Sequence, residues 1–343
     1  MMKKSETIVI FGGTGFIGTH IAQHWLREGL AGRLVLVDIN PPRNEPYSAL
    51  LQDGLKSGRV DYVPWDVRRP VPGDLLPAAD VVFNLAAVHR EPGHLPHEYF
   101  ETNLYGAENV CAWAAAMGCP RVVFTSSISP YGPSEALKDE NSLPVPETPY
   151  GSSKLAAEKI HLAWQAAGPG RKLLILRPGV VFGPGEGGNV TRLIRSLVKG
   201  YFVYMGNRDT RKAGGYVKEL CRVAQFGLEY QDHGGECATL LNFSMNPLPA
   251  LEEFVQAIQK AAGLRRKPLS VPRSLLLGVS YPIDGVARTF GIRQPISPVR
   301  VRKLFRSTSV DPKRLRDLGY QWQFTLEDAF HDWKRDLPAD FSA

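Results

Sequence analysis

Tyr150 and Lys154 stand four residues apart, and Ser127 lies upstream of them inside TSSISPYG. Residues at i and i+4 share one face of a helix, so this spacing sets an ammonium beside a phenol. A neighbouring positive charge favours the ionised form of an acid whose ordinary pKa is about 10. Such a tyrosine can exchange a proton near neutral pH. A serine hydroxyl reaching the same oxygen would polarise it. The spacing Y-x-x-x-K is common and carries little weight alone. It gains meaning from GGTGFIG at residues 12–18, which opens the chain and resembles a nucleotide-binding turn. Together the two segments predict redox chemistry on an alcohol or a ketone.

The glycines of that turn are Gly12, Gly15 and Gly18, with Phe16 and Ile17 between the last two. Glycine permits the tight turn, lets backbone amides approach a pyrophosphate, and allows the following helix to pack closely on the strand. The helix start adds partial positive charge. A purely structural glycine turn is the alternative. Asp38 closes the next strand, about 20 residues after the last glycine, where a carboxylate accepts hydrogen bonds from ribose hydroxyls and repels a 2′-phosphate. That favours NAD over NADP, although Arg43 close by keeps NADP in view. Asp66-Val67 follows the third strand and is placed either to touch an adenine or to cap a turn. Asn84-Leu85-Ala86-Ala87 presents small side chains where backbone would pass close to a cofactor, or where a helix packs tightly.

These residues need elements to hold them. The first half alternates apolar strand runs with helical periods: strands at 8–11, 34–37, 59–63, 81–85, 121–125 and 172–176, and helices at 17–28, 99–116 and 150–167. Apolar strands joined by crossover helices predict a parallel sheet covered on both faces. The fold class is therefore α/β, a Rossmann-like doubly wound parallel sheet with a smaller, interleaved C-terminal substrate domain. Residues 1–178 form the dinucleotide-binding part and 179–343 mainly the substrate part. A strand near 239–244 is expected to return to the first sheet.

Composition bounds the rest. The chain has 343 residues, 43% hydrophobic and 22% charged, and a formal net charge of +7. Those proportions are ordinary for a globular protein. Basic residues crowd between Arg265 and Arg316, including Arg273, Arg288, Arg300, Arg302 and Lys313. A solvated face and recognition of a diphosphate by Arg forks both account for them. No motif supports nucleic acid or an anionic membrane surface. Cys111, Cys119, Cys221 and Cys237 lack metal-ligand spacing, and the first two read as buried thiols. The segment MMKKSE is too short for a signal-peptide core, and no apolar run reaches about 18 residues. A cytoplasmic protein without a transmembrane segment is expected.

GGTGFIG, Asp38, Asp66-Val67, NLAA, TSSISPYG, YGSSK and RPGVVFGPG resemble, in order and spacing, the extended short-chain dehydrogenase/reductases. The likeness is to their NAD-dependent nucleotide-sugar epimerase/dehydratase group and covers most of the chain. GGNVTRLIRSLVKGYFVYMGN and PISPVRVRKLFRSTSVDPKRLRDLGY resemble the branch found among bacterial surface-polysaccharide enzymes. The resemblance implies a catalytic Ser127, Tyr150 and Lys154. It implies cofactor contacts at Gly12, Gly15, Phe16, Ile17, Gly18, Asp38, Asp66 and Val67, and at Leu85, Ala86, Ala87, Tyr150, Lys154 and Pro178. Asn189, Lys212, and Arg300 or Arg302 would hold the substrate diphosphate. It also implies a homodimer through the helices near 99–117 and 150–167.

The expected activity is a nucleotide-sugar 4-epimerase, UDP-linked first, with Tyr150 as acid and base. Relatives that dehydrate carry an acidic pair directly after the catalytic serine or threonine; Ile128-Ser129 stands here, which disfavours dehydration. A 4-keto-sugar reductase or dehydrogenase is the alternative. Val180, where many sugar epimerases carry asparagine, resembles the steroid-type oxidoreductases and adds a 3β-hydroxysteroid-type dehydrogenase. A cofactor-binding sensor is the non-enzymatic reading, and the intact Ser127, Tyr150 and Lys154 argue against it. His89 and Arg90 follow the NLAA strand end as a satisfied loop pair, Arg90 being the better substrate contact.

Overall fold

In the computed structural model, residues 6–271 and 309–342 are described, apart from positions 92, 135 and 206. Arg300 and Arg302 lie outside the described residues.

Short apolar runs with crossover helices build one sheet. Strands β1 (Thr7–Phe11), β2 (Arg33–Asp38), β3 (Val60–Pro64), β4 (Val81–Asn84), β5 (Arg121–Thr125) and β6 (Lys172–Pro178) are joined by β10 (Ala238–Phe243). Their order is β10-β6-β5-β4-β1-β2-β3, and every neighbouring pair is parallel. The doubly wound parallel sheet expected from the sequence is present.

Alternation along a strand sends successive side chains to opposite faces. Ile8 and Ile10 therefore join Leu34, Leu36 and Trp25 on one face, with Leu220 and Leu228 of α6 (Val217–Asp232). Trp25 belongs to α1 (Phe16–Arg27). Val9 and Phe11 join Val35, Val37 and Phe124 on the other. Val110 and Trp113 of α3 (Pro96–Ala116), and Ala157 and Trp164 of α4 (Pro149–Ala166), cover that face. Between β1 and β4 the strand order reverses direction, which opens a crevice at the carboxyl ends of the strands.

After Pro178 the chain builds a second core. Phe182 of β7 (Val180–Phe182), Tyr216 of β9 (Gly214–Tyr216), Phe254 of α7 (Leu251–Ala262), and Phe330 and Trp333 of the last helix (Leu326–Asp336) are buried together. The Phe182 and Phe330 rings stack with centroids 5.3 Å apart. β7 pairs with β9, setting Val180 beside Gly214 at the mouth of the crevice. A further pair joins β8 (Val203–Met205) to β11 (Leu269–Val271). Among the described residues no helix is long and apolar enough to cross a membrane.

Candidate active site

The turn after β1 is built so tightly that side chains are excluded. Gly12 has φ 76°, and a Cβ there would lie 2.7 Å from the Ala86 nitrogen. At Gly18 it would lie 2.4 Å from the Gly12 carbonyl oxygen, and at Gly15 3.2 Å from the same oxygen. Gly12 and Gly13 donate their N–H groups to the Val37 carbonyl, at 2.8 and 3.3 Å. Gly15 is the N-cap of α1, with no side-chain cap and no acid in the first turn. An uncapped helix start leaves backbone N–H groups and partial positive charge facing the crevice. Phe16 and Ile17 are half-buried in that first turn. This cradle has the shape and charge to hold a dinucleotide pyrophosphate.

Asp38 stands at the end of β2. Its Oδ2 accepts from the Thr14 N–H at 3.3 Å and its Oδ1 from the Asn40 N–H at 3.2 Å. The carboxylate is thus fixed beside the glycine turn, with its chemistry fitted to ribose hydroxyls. Leu85 donates its N–H to the Phe11 carbonyl at 2.8 Å, and the Leu85-Ala86 backbone passes directly against Gly12.

Asp66 is engaged locally. Arg68 donates to it from Nη2 at 2.6 Å and from its backbone N–H at 3.0 Å. The Arg68 hydrogen bond holds the Asp66 carboxyl below its usual range. The turn-capping function is therefore visible directly. Val67 is buried, and its carbonyl accepts from Asn109 of α3 at 2.8 Å.

Helix α4 sets the proton-transfer groups. Thr148 caps it, accepting from the Gly151 N–H at 3.1 Å. Pro149 opens the helix at a position where its missing N–H costs nothing. Tyr150 is thereby placed in the first turn and Lys154 one turn later. Gly151 allows close approach to the serine loop, since a Cβ there would meet the Ser129 carbonyl oxygen at 2.7 Å. The Ser127 hydroxyl donates to the Ser129 hydroxyl and accepts from the Ser129 N–H, both at 3.2 Å, and it stands close enough to the Tyr150 phenol to favour its ionised form. Ser127 and Tyr150 are half-buried, and Lys154 is buried. The Lys154 ammonium donates to the Thr125 carbonyl at 2.9 Å and lies 5.0 Å from the centre of the Phe124 ring.

The electrostatics differ from what the i, i+4 spacing suggests. Burial pushes the Tyr150 phenol up to about 12, with the Ser127 hydroxyl opposing. Burial pushes Lys154 down to about 8, with Glu158 opposing. Desolvation disfavours both charged forms. In the protein alone the phenol is therefore a proton donor near neutral pH. Accepting a proton requires more positive charge at the site.

Two groups escaped the sequence reading. Asn103 of α3 is buried and accepts from the Val88 N–H at 2.9 Å. It donates to Ser153 Oγ at 2.9 Å, and Ser153 donates to the Tyr150 carbonyl at 2.9 Å. It thus ties the loop after β4 to the first turn of α4. The second is a buried ion pair between Glu158 and Arg177, Nη2 to Oε2 2.6 Å. A buried polar residue on an otherwise apolar helix face was the available signal for Asn103. Nothing in the spacing joins Glu158 to a residue on β6.

The groups expected to hold substrate are spread more widely. Asn189 begins α5 (Asn189–Val198), is exposed, and accepts from Arg192 at 2.6 Å. Lys212 precedes β9 and donates its backbone N–H to the Pro249 carbonyl at 3.4 Å. Its neighbour Ala213 accepts from the Val180 N–H at 2.7 Å, which places that segment at the crevice mouth. Pro178 ends β6, is buried, and accepts from the Ile128 N–H at 3.1 Å. His89 and Arg90 are exposed, and the Arg90 carbonyl accepts from the Tyr99 hydroxyl at 2.5 Å.

This arrangement has counterparts among known proteins. The chain is 26% identical over 324 residues to the N-acetyl-alpha-D-glucosaminyl-diphospho-ditrans,octacis-undecaprenol 4-epimerase of Escherichia coli O157:H7, covering 94% of this chain and 92% of that protein. It is 26% identical to UDP-glucose 4-epimerase 3 of Oryza sativa subsp. japonica, covering 98% and 92%. Its fold is like that of UDP-glucuronic acid 4-epimerase from Bacillus cereus, solved in complex with NAD. That likeness has a TM-score of 0.75 at 18% identity, covering 98% of this chain and all of that one. The sequence model of the NAD dependent epimerase/dehydratase family matches residues 8–238, from the first strand of the sheet to the start of the last. The chain belongs to that family.

Proposed function

We propose that the protein is an NAD-dependent 4-epimerase of a sugar held through a diphosphate, a UDP-sugar foremost. One observation carries the reading: Ser127, Tyr150 and Lys154 converge beside a dinucleotide cradle, and the serine is followed by Ile128-Ser129 with no acid for elimination. NAD, held by Gly12, Gly15, Gly18 and Asp38, supplies the hydride acceptor and the positive ring charge. Ser127 donates a hydrogen bond to the sugar O4. Tyr150 exchanges the O4 proton, as acceptor during oxidation and donor during reduction, with Lys154 favouring the phenolate. C4 would be inverted if the intermediate ketone turns before the hydride taken from it is returned to its opposite face. Residues 179–343, without β10, form most of the sugar-binding side, and the molecule works as a homodimer.

NAD is preferred over NADP in this reading because Asp38 would face a 2′-phosphate. Asp38→Asn is expected to raise the NADP-to-NAD affinity ratio by roughly tenfold, about 1.4 kcal/mol, measured by titrating each cofactor. An unchanged ratio would remove Asp38 from the cofactor contacts.

A diphosphate borne by a lipid instead of a nucleoside is a second reading, favoured by the Escherichia coli relative that matches nearly end to end. The purified protein is expected to interconvert a C4-epimeric pair without added cofactor. UDP-glucose, UDP-N-acetylglucosamine and polyprenyl-diphosphate-linked N-acetylglucosamine form the panel. Inversion of the third alone selects the lipid-linked class. Stoichiometric NAD(P)H consumption with a 4-keto sugar, and no inversion of any, would select a reductase. Turnover of a 3β-hydroxysteroid would replace the sugar with a sterol.

A further inference from the structure

Lys154 and the serine loop share a support that lies wholly inside the protein. One turn beyond Lys154 on α4, Glu158 is buried, and so is its partner Arg177 on β6. The guanidinium donates twice, from Nε to Oε1 at 2.8 Å and from Nη2 to Oε2 at 2.6 Å. Oε1 also accepts from the Ser126 hydroxyl at 2.5 Å. Ser126 is the residue before Ser127, and its own N–H donates to the Leu176 carbonyl at 2.7 Å.

Beyond the pair, the Arg177 guanidinium lies 4.6 Å from the centre of the Tyr131 ring. The Tyr131 hydroxyl donates to Asn242 of β10 at 2.9 Å. The loop from Ser126 to Tyr131 is thus gripped at both ends by one ion pair. Taking two charges out of water is expensive, and a buried pair is weak support for stability. Its place directly behind the reacting groups gives it another use.

We propose that the Glu158–Arg177 pair is a positioning device for the reaction, in which the Glu158 carboxylate fixes the Ser126–Ser127 loop and holds Lys154 in its cationic form. The proposal rests on the epimerase reading only for the reaction served. Burial works against the Lys154 charge, and Glu158 is the group that opposes this. Of the other groups facing Lys154, His161 is buried, pushed down to about 4 and so neutral. Its Nδ1–H donates to the Ala157 carbonyl at 2.7 Å, and its Nε2 accepts from the Asn84 amide at 3.2 Å. Tyr150 is protonated and uncharged, and His89 lies on the exposed loop after β4. Arg177 is held cationic by Glu158. The carboxylate is therefore the negative charge available to Lys154.

The test follows Lys154 directly, by nuclear magnetic resonance of the full chain carrying 13C-labelled lysine, the signal being assigned by its loss in Lys154→Met. In the native protein the signal is expected to titrate at about 8. Glu158→Gln is expected to lower that midpoint by about one pH unit and kcat near neutral pH by roughly tenfold or more. KM should stay close to native, and the alkaline limb of the rate profile should move to lower pH. Ser126→Ala is expected to lower kcat while leaving the Lys154 titration where it was. Glu158→Gln/Arg177→Met, which leaves no orphaned charge, serves if Glu158→Gln does not fold. A Lys154 midpoint unmoved in these Glu158 variants overturns the proposal even if turnover falls. A moved midpoint in a protein that turns over no sugar supports the charge role and places the failure with the functional reading.

Discussion

Tyr150→Phe is expected to lower kcat by about 10²–10⁴-fold while cofactor binding and thermal stability stay near native. The substitution removes one hydroxyl and keeps the ring, which lies 6.1 Å from that of Tyr99. Thr148 and Pro149 still start the helix, and Lys154 keeps its bond to the Thr125 carbonyl. What is lost is the hydroxyl beside Ser127, the group that the proposed mechanism uses to exchange the O4 proton. Burial holds that hydroxyl up to about 12, so removal of the sugar proton depends on positive charge gathered around it. Turnover on the sugar panel, with NAD-induced thermal stabilisation measured in parallel, checks both halves. Native turnover by the variant would sink the acid/base assignment, and loss of the thermal shift would move Tyr150 into the cofactor's own support.

The second large effect is expected at Gly18. A Cβ there meets the Gly12 oxygen at 2.4 Å, and the Gly13 Cα and carbonyl carbon at 2.7 and 2.8 Å. All three are backbone atoms of the turn, so no side chain can swing aside. Gly18→Ala must open the turn between β1 and α1, at a cost of about 1–3 kcal/mol of the kind seen in overpacked cores. The same opening moves the amides that would face the pyrophosphate. NAD at about 100 times its dissociation constant stabilises a binding protein by about 2.7 kcal/mol. The native chain should show that increment in thermal unfolding and the variant should lose most of it. Equal NAD stabilisation in both proteins would mean that the glycines serve packing alone.

Where the sequence was readable, the signal was local. Thr7–Phe11, the glycine turn and Asp38 follow from periodicity and from what glycine permits within a few residues. Tyr150 and Lys154 share a helical face because helix geometry requires it. The charge balance at that face was not readable from spacing, since it depends on how much water the fold removes. Nor was the grip of Asn103 on both Val88 and Ser153, which joins three segments distant in the chain. The pairing of Glu158 with Arg177 depends on β6 passing beneath α4, a fact of topology. The aromatic core around Phe182 and Trp333 draws on six elements of the second half, where short strands and glycine turns dilute every period.

The late strand Ala238–Phe243 has a consequence for how the protein is made. Among the described residues it alone covers the outer edge of Lys172–Pro178, and it carries the Asn242 that receives the Tyr131 hydroxyl. On the ribosome, the segment between Pro178 and Ala238 takes roughly 3–12 s to emerge at about 5–20 residues per second. Throughout that interval the nascent sheet presents an unpaired edge to its surroundings, the kind of template that recruits other chains. Ribosome-associated chaperones and translation speed over this stretch are therefore natural controls on yield, and a pause placed just before residue 238 should cost more folded protein than the same pause placed after residue 243.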